Sequence, residues 1–212
     1  MKDTTAKYRD AAAGWSEGQY ADPSGYLGHR ADLIVSLGPR LQPGDTVLDF
    51  ACGDAGLADH LLPRGLRYLG VDASEPMVAA ARARLGDRAP VELGDLNDYA
   101  PPEPVAATTI FRAIYYARDR RELFRRVAGF TERKLVFDLN PRQYRVEDVA
   151  ADLKASGFDG LELRPFFAPQ NVALPRPLGA ALRAAERVGP LARVALRFRF
   201  SYLCAAFRQT FP

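Results

Sequence analysis

Three aspartates stand where an apolar run gives way to small or helix-starting residues: Asp49, Asp72 and Asp95. An ionised carboxylate only accepts hydrogen bonds, so each suits a ligand that carries donors. Asp49 fits an ammonium or amino group. Asp72, about twenty residues on from the first turn, is placed for a ribose diol. Asp95 suits the exocyclic amine of an adenine, with Leu96 against the ring. Between the first two lies Ala51-Cys52-Gly53-Asp54-Ala55-Gly56. Such small residues let a backbone turn sharply at a strand end and bring its N–H groups into contact with a ligand. One such aspartate alone would be ordinary turn or cap chemistry. Three in register mark a ligand edge.

The pattern along the chain predicts what must position them. Strands are expected at 46–50, 67–71, 90–93, 106–111 and 134–138, and helices at 55–62, 74–85, 118–128 and 147–156. Ser74 is expected to cap the second of these helices, with Pro76 in its first turn. Alternating strand and helix implies a parallel sheet covered on both faces. The three acids then fall together at its carboxyl edge, where open sheets of this class bind ligands. Two further strands, 161–167 and 200–207, close the chain around two helical pieces broken at Gly189-Pro190.

With these elements in place, the sequence resembles the class I S-adenosylmethionine-dependent methyltransferases. Leu48-Asp49-Phe50-Ala51-Cys52-Gly53-Asp54-Ala55-Gly56 is similar to that family's first motif. Val71-Asp72-Ala73-Ser74-Glu75-Pro76-Met77 is similar to its second-strand acid followed by a methionine, and Gly94-Asp95-Leu96 to its adenine-side motif. The resemblance runs from about Tyr20 to Asn140. It implies a doubly wound, mostly parallel α/β sheet of seven strands with an antiparallel last strand, a Rossmann-like methyltransferase fold. It also implies S-adenosylmethionine as cofactor, with S-adenosylhomocysteine as product. The sequence departs from the family's Gly-x-Gly-x-Gly, since Ala51, Gly53 and Ala55 fill those places. Ala51-x-Gly53-x-x-Gly56 with Asp72 also half-matches a dinucleotide fingerprint. Asp49, Asp95 and the closing strand pair favour the methyltransferase.

The resemblance implies a cofactor set of Tyr20, Arg30, Asp49, Ala51, Cys52, Gly53, Asp72, Ala73, Met77, Asp95, Leu96 and Arg112. Tyr20 or Arg30 would take the methionine carboxylate. Tyr115 and Tyr116 would face an acceptor, and His29 would serve as a base. Against each stands a plainer role in packing or on the surface. Cys52 has no sequence neighbour to activate it, so a small loop residue is expected there rather than a nucleophile.

The 212 residues suit one domain. Its expected parts are an aromatic N-terminal lid and helix (1–42), a cofactor core (43–167), a helical lid (168–199) and a last strand (200–212). Hydrophobic residues make up 48% and charged residues 26%, which excludes a disordered chain. No apolar run is long enough for a membrane span, no signal-type run opens the chain, and the two cysteines are far apart, so a reduced cytoplasmic setting is expected. No Cys/His spacing suggests a metal site. The net charge is +3, and the basic residues form a local patch rather than a stripe with interleaved aromatics, so nucleic acid is not the expected partner. The basic, apolar stretch 174–199, with Arg176, Arg183, Arg187, Arg193, Arg197 and Arg199, is expected to pack on the sheet as an amphipathic helix pair with solvated arginines, or to shape an acceptor pocket or touch a membrane surface. The expected reaction is in-line methyl transfer to a small molecule, driven by positioning. A lipid or quinone methyltransferase at a membrane surface and a non-catalytic cofactor binder are the alternatives. The oligomeric state is left open.

Overall fold

The computed structural model describes residues 14–187 and 201–208. Seven strands form one sheet: β1 (Thr46–Phe50), β2 (Arg67–Asp72), β3 (Val91–Leu93), β4 (Val105–Ile110), β5 (Thr131–Leu139), β6 (Gly160–Phe166) and β7 (Ser201–Phe207). Their order across the sheet is β3-β2-β1-β4-β5-β7-β6. β7 runs antiparallel to both β5 and β6, while the pairs β1–β2, β1–β4, β2–β3 and β4–β5 are parallel. The expected fold, including its antiparallel last strand, is the one observed.

The helices are α1 (Trp15–Gln19), α2 (Pro23–Ser36), α3 (Ala58–Leu61), α4 (Glu75–Leu85), α5 (Arg120–Phe130), α6 (Val146–Ala155) and α7 (Arg176–Ala185). Strand residues alternate between two cores, as a period of two demands. Val47, Tyr68, Ala107 and Val136 pack with Ala31 and Ile34 of α2, Leu61 of α3 and Ala81 of α4. Leu48, Phe50, Leu135 and Phe137 pack with Phe124 and Val127 of α5 and Leu153 of α6 on the other face. β4 is buried throughout, and its two threonines are satisfied in place: Thr108 Oγ1 lies 2.6 Å from Thr131 Oγ1, and Thr109 bonds Asp49.

Three devices fix α2, which carries candidate site residues. Asp22 Oδ1 accepts the Gly25 N–H at 2.9 Å, and Pro23 opens the helix. At the other end the fully buried Lys134 ammonium donates to the Val35 and Leu37 carbonyls, at 3.2 and 2.6 Å, and serves as a C-terminal cap. Burial pushes that amine down to about 7.

Two expectations are corrected. The helix after β1 starts at Ala58, not Ala55, because Ala55 takes a left-handed φ of 57° that no right-handed helix contains. Ser74 stands at the N-cap of α4, but its side chain makes no capping bond. The second helical piece beyond Gly189-Pro190, Arg193, Arg197, Arg199 and the aromatic Tyr8 lie outside the described residues.

Candidate functional site

The β1 loop turns on three left-handed residues: Ala51 (φ 53°), Gly53 (58°) and Ala55 (57°). These are the places where the resembled family carries glycine. For a residue with a Cβ this conformation costs about 1–2 kcal/mol, so the two alanines hold the turn under strain rather than change its course. At Gly53 a Cβ would stand 3.2 Å from the Trp15 ring. The loop is tied down by Asp72 at the end of β2. Its Oδ2 accepts the Gly53 N–H and its Oδ1 the Ser74 N–H, each at 2.9 Å. Each oxygen keeps a further lone pair for a ligand hydroxyl. Burial pushes the Asp72 carboxyl above its ordinary range.

Asp49 is buried beneath this turn. Thr109 Oγ1 donates to its Oδ1 at 2.6 Å, and Tyr68 Oη to its Oδ2 at 2.8 Å. Burial outweighs both bonds and raises its pKa to about 6. The Cys52 thiol is pushed up by burial and then by Asp49 and Asp72, so it stays protonated and unreactive, as its sequence setting suggests.

Arg30, on α2, is 4% exposed and has no carboxylate partner among the described residues. Its Nη2 donates to Tyr26 Oη at 2.9 Å, and its guanidinium lies 4.2 Å from the Phe111 ring centre and 4.9 Å from that of Tyr26. Its Nε has no hydrogen-bond partner, and neither does the buried Ser74 Oγ. A buried cation with an unmet donor is costly unless an anion joins it. Aromatic faces supply part of the compensation, and a ligand carboxylate would supply the rest.

Where the sequence suggests an aromatic lid, α1 is tied to the motif loop, and Trp15 and Tyr20 line the cavity described below. Asp54, buried in the motif loop, accepts from the Ser16 backbone N–H at 2.9 Å and from the Ser16 hydroxyl. Arg84 of α4 bonds Asp54, Glu17 and Asp59 at 2.9, 2.7 and 3.1 Å. Gly56 leaves the room in which the Ser16 hydroxyl sits. Sequence reasoning missed that Asp54 and Arg84 tie α1 to the motif loop, since their partners lie 38 and 67 residues away.

These groups surround a cavity of about 790 Å³ at the carboxyl ends of β1, β2 and β4. Its lining includes every predicted cofactor residue: Tyr20, Arg30, Asp49, Ala51, Cys52, Gly53, Asp72, Ala73, Met77, Asp95, Leu96 and Arg112. Leu96 and Met77 present buried apolar surface. Asp95 is exposed, two residues past the end of β3, and its Oδ1 accepts from the Asn97 N–H and Nδ2, both at 2.7 Å. Arg112 takes a left-handed φ of 53°, with its N–H held by Asp138 Oδ1 at 2.7 Å.

The expected catalytic group is divided. Tyr115 and Tyr116 line the cavity as exposed, tilted rings 4.3 Å apart. The Tyr116 carbonyl accepts from Asn97 Nδ2 at 3.2 Å, which puts the pair on the Asp95 side. His29 is not brought to the cavity. Its ring stacks on Phe166 at 5.2 Å, and its Nε2 lies 2.7 Å from Glu186 Oε2. The reason is helical spacing: adjacent residues on α2 point about 100° apart, so with Arg30 facing the cavity His29 turns toward α7.

Comparison with known proteins accords with this geometry. Residues 47–133 match the family of methyltransferase domains. An uncharacterized methyltransferase of Geobacillus thermodenitrificans is 29% identical over 119 residues, which cover 53% of this chain and 55% of the relative. A Streptomyces venezuelae dTDP-3-amino-3,4,6-trideoxy-alpha-D-glucopyranose N,N-dimethyltransferase is 29% identical over 108 residues, 50% of this chain and 45% of that one. The chain thus spans about half the length of the curated relatives it matches. Among solved structures, the magnesium protoporphyrin IX methyltransferase of Synechocystis, with bound SAM, superposes with a TM-score of 0.64 at 16% identity, over 98% of this chain and 92% of that one.

Proposed function

We propose, from the match of residues 47–133 to methyltransferase domains and from the sheet order, that the chain is a class I S-adenosylmethionine-dependent methyltransferase that binds S-adenosylmethionine in the large cavity and transfers its methyl group to a small molecule. The observation that carries this reading is Arg30, a buried guanidinium with an unmet donor on the cavity wall. A methionine carboxylate there satisfies it. The other groups fall into place along the same ligand. Asp49 takes the amino group, Asp72 the ribose hydroxyls, with Ser74 Oγ as a further donor or acceptor, and Asp95 the adenine amine over Leu96. The left-handed Ala51-to-Ala55 turn brings backbone against the ligand without side chains in the way.

Bound there, the cofactor supplies a sulfonium-activated methyl group that an in-line nucleophile displaces. The chain's contribution is orientation and exclusion of water. Trp15, Tyr20, Arg112 and the Tyr115–Tyr116 pair all line the cavity, and Arg112 Nη1 reaches Gln19 Oε1 at 3.5 Å. A small-molecule acceptor is supported by the amino-sugar methyltransferase among the relatives. His29 is assigned no part in proton transfer. No helix among the described residues is long and apolar enough to cross a membrane.

Calorimetric titration with S-adenosylhomocysteine tests the reading. Micromolar binding is expected, weakened by at least about a hundredfold in Asp72→Ala, which removes a doubly bonded carboxylate from the ligand and from the Gly53 turn (about 3 kcal/mol). A wild-type chain that binds no S-adenosylhomocysteine would sink the proposal.

A further inference from the structure

A second cavity, of about 380 Å³, lies behind the first, between the N-terminus of α2, the segment after β6, and α7. The two share a wall. Tyr26 lines the second cavity and receives the Arg30 hydrogen bond; Tyr20 stacks on it at 4.3 Å and lines the first. The walls are fixed to one another by one buried carboxylate. Glu186, at the end of α7, accepts the Phe167 N–H on Oε1 at 2.7 Å and faces His29 Nε2 of α2 through Oε2, also at 2.7 Å. The Ala21 N–H donates to the Gln170 carbonyl at 2.9 Å and closes the same seam. The cavity is therefore built into the packing of three elements.

Its chemistry is one-sided. Phe167 and Leu182 offer apolar surface, while Arg176 and Arg183 stand on one helix face at a spacing of two turns. The Arg183 guanidinium lies over Gly179, with Nη1 3.6 Å from where a Cβ would stand. Neither arginine has an ion-pair partner among the described residues. The lining carboxylate, Asp22, already accepts the Gly25 N–H as the cap of α2. Apolar side chains beside two guanidinium groups without an ion-pair partner among the described residues suit a ligand with an apolar body and an anionic group.

We propose that this second cavity binds an amphiphilic organic anion, an apolar carboxylate or its equivalent, at a site apart from the cofactor cavity, since the stacked Tyr20 and Tyr26 stand between the two. The site does not depend on the transfer reaction proposed above. The test is fluorescence titration of the full chain with anilinonaphthalene sulfonate, an apolar anion, and with neutral phenylnaphthylamine, both under saturating S-adenosylhomocysteine. The expected result is saturable binding of the anion, weakened at least about fivefold by Arg183→Glu and by Arg176→Glu and weakened by added salt, with S-adenosylhomocysteine affinity the same in both variants. The neutral probe is expected to bind more weakly and to ignore the charge reversals. Equal anion binding by wild type and variants, or displacement of the anion by S-adenosylhomocysteine, would overturn the proposal. Failure of S-adenosylhomocysteine to bind the wild-type chain would sink the reading of the first cavity alone, and the arginine dependence of the anion would still decide the second.

Discussion

Asp49 shows how one residue joins stability to ligand binding. Burial raises its pKa from 3.8 to about 6, so the folded chain holds a proton that the unfolded chain has already lost. Its contribution to stability is complete below the unfolded value and is lost as pH rises through about 6. An ammonium group bound beside it favours the ionised form, so the sign for binding is the reverse. Affinity for S-adenosylhomocysteine should rise between pH 5 and 7, by at most about tenfold per unit, and level off above. Asp49→Asn should bind more weakly and flatten that profile; a wild-type affinity constant from pH 5 to 7 would rule out the contact. The carboxylates were legible from sequence because each stands at or just beyond the carboxyl end of a strand. Arg30 was legible only through family resemblance, since nothing local marks a guanidinium as buried and short of a partner. His29, its neighbour, was misplaced by the same resemblance, because one helical step turns it from the cavity to Glu186.

At the level of elements, α1 is held on the motif loop by polar contacts rather than by a broad apolar face. Ser16, Glu17, Asp54 and Arg84 form the latch, and Trp15 is carried with it against Gly53. Trp15 is the chain's single tryptophan, so its emission reports the position of α1. Arg84→Ala should shift that emission to the red and speed dissociation of S-adenosylhomocysteine severalfold, in line with about 1–2 kcal/mol for a half-buried charge network. Emission unchanged in the variant would show that α1 is held by something else. Strand and helix positions were readable to within about three residues because hydrophobic runs and turn residues mark them. The start of α3 was not. Alanine is the best helix former, so only the backbone of the loop reveals that Ala55 is left-handed.

Across the whole molecule, the cavity draws its lining from segments far apart in the sequence. β1 and β4 lie side by side although β2 and β3 come between them in the chain, and this crossing opens the crevice at their carboxyl ends. Over it lie α1 and α2, which the segment after β6 straps through Gln170, whose Nε2 donates to the Gln19 carbonyl at 3.2 Å. The sequence order of strands and helices foretold the sheet. The strap and the Glu186–His29 contact, 157 residues apart, were out of reach of any local pattern. A ligand seated there contacts β1, β2, β4 and the lid at once, so it should stabilise the fold as a unit rather than one loop. At a concentration of 100 times its Kd, S-adenosylhomocysteine should add about 2.7 kcal/mol. For a chain of this size that is a rise in Tm of roughly 5–10 °C in a single transition. Asp72→Ala should show almost none of it at the same concentration. A ligand that bound yet left Tm unmoved would mean that the native-like and unfolded chains hold it equally, and the cavity would then not be its site.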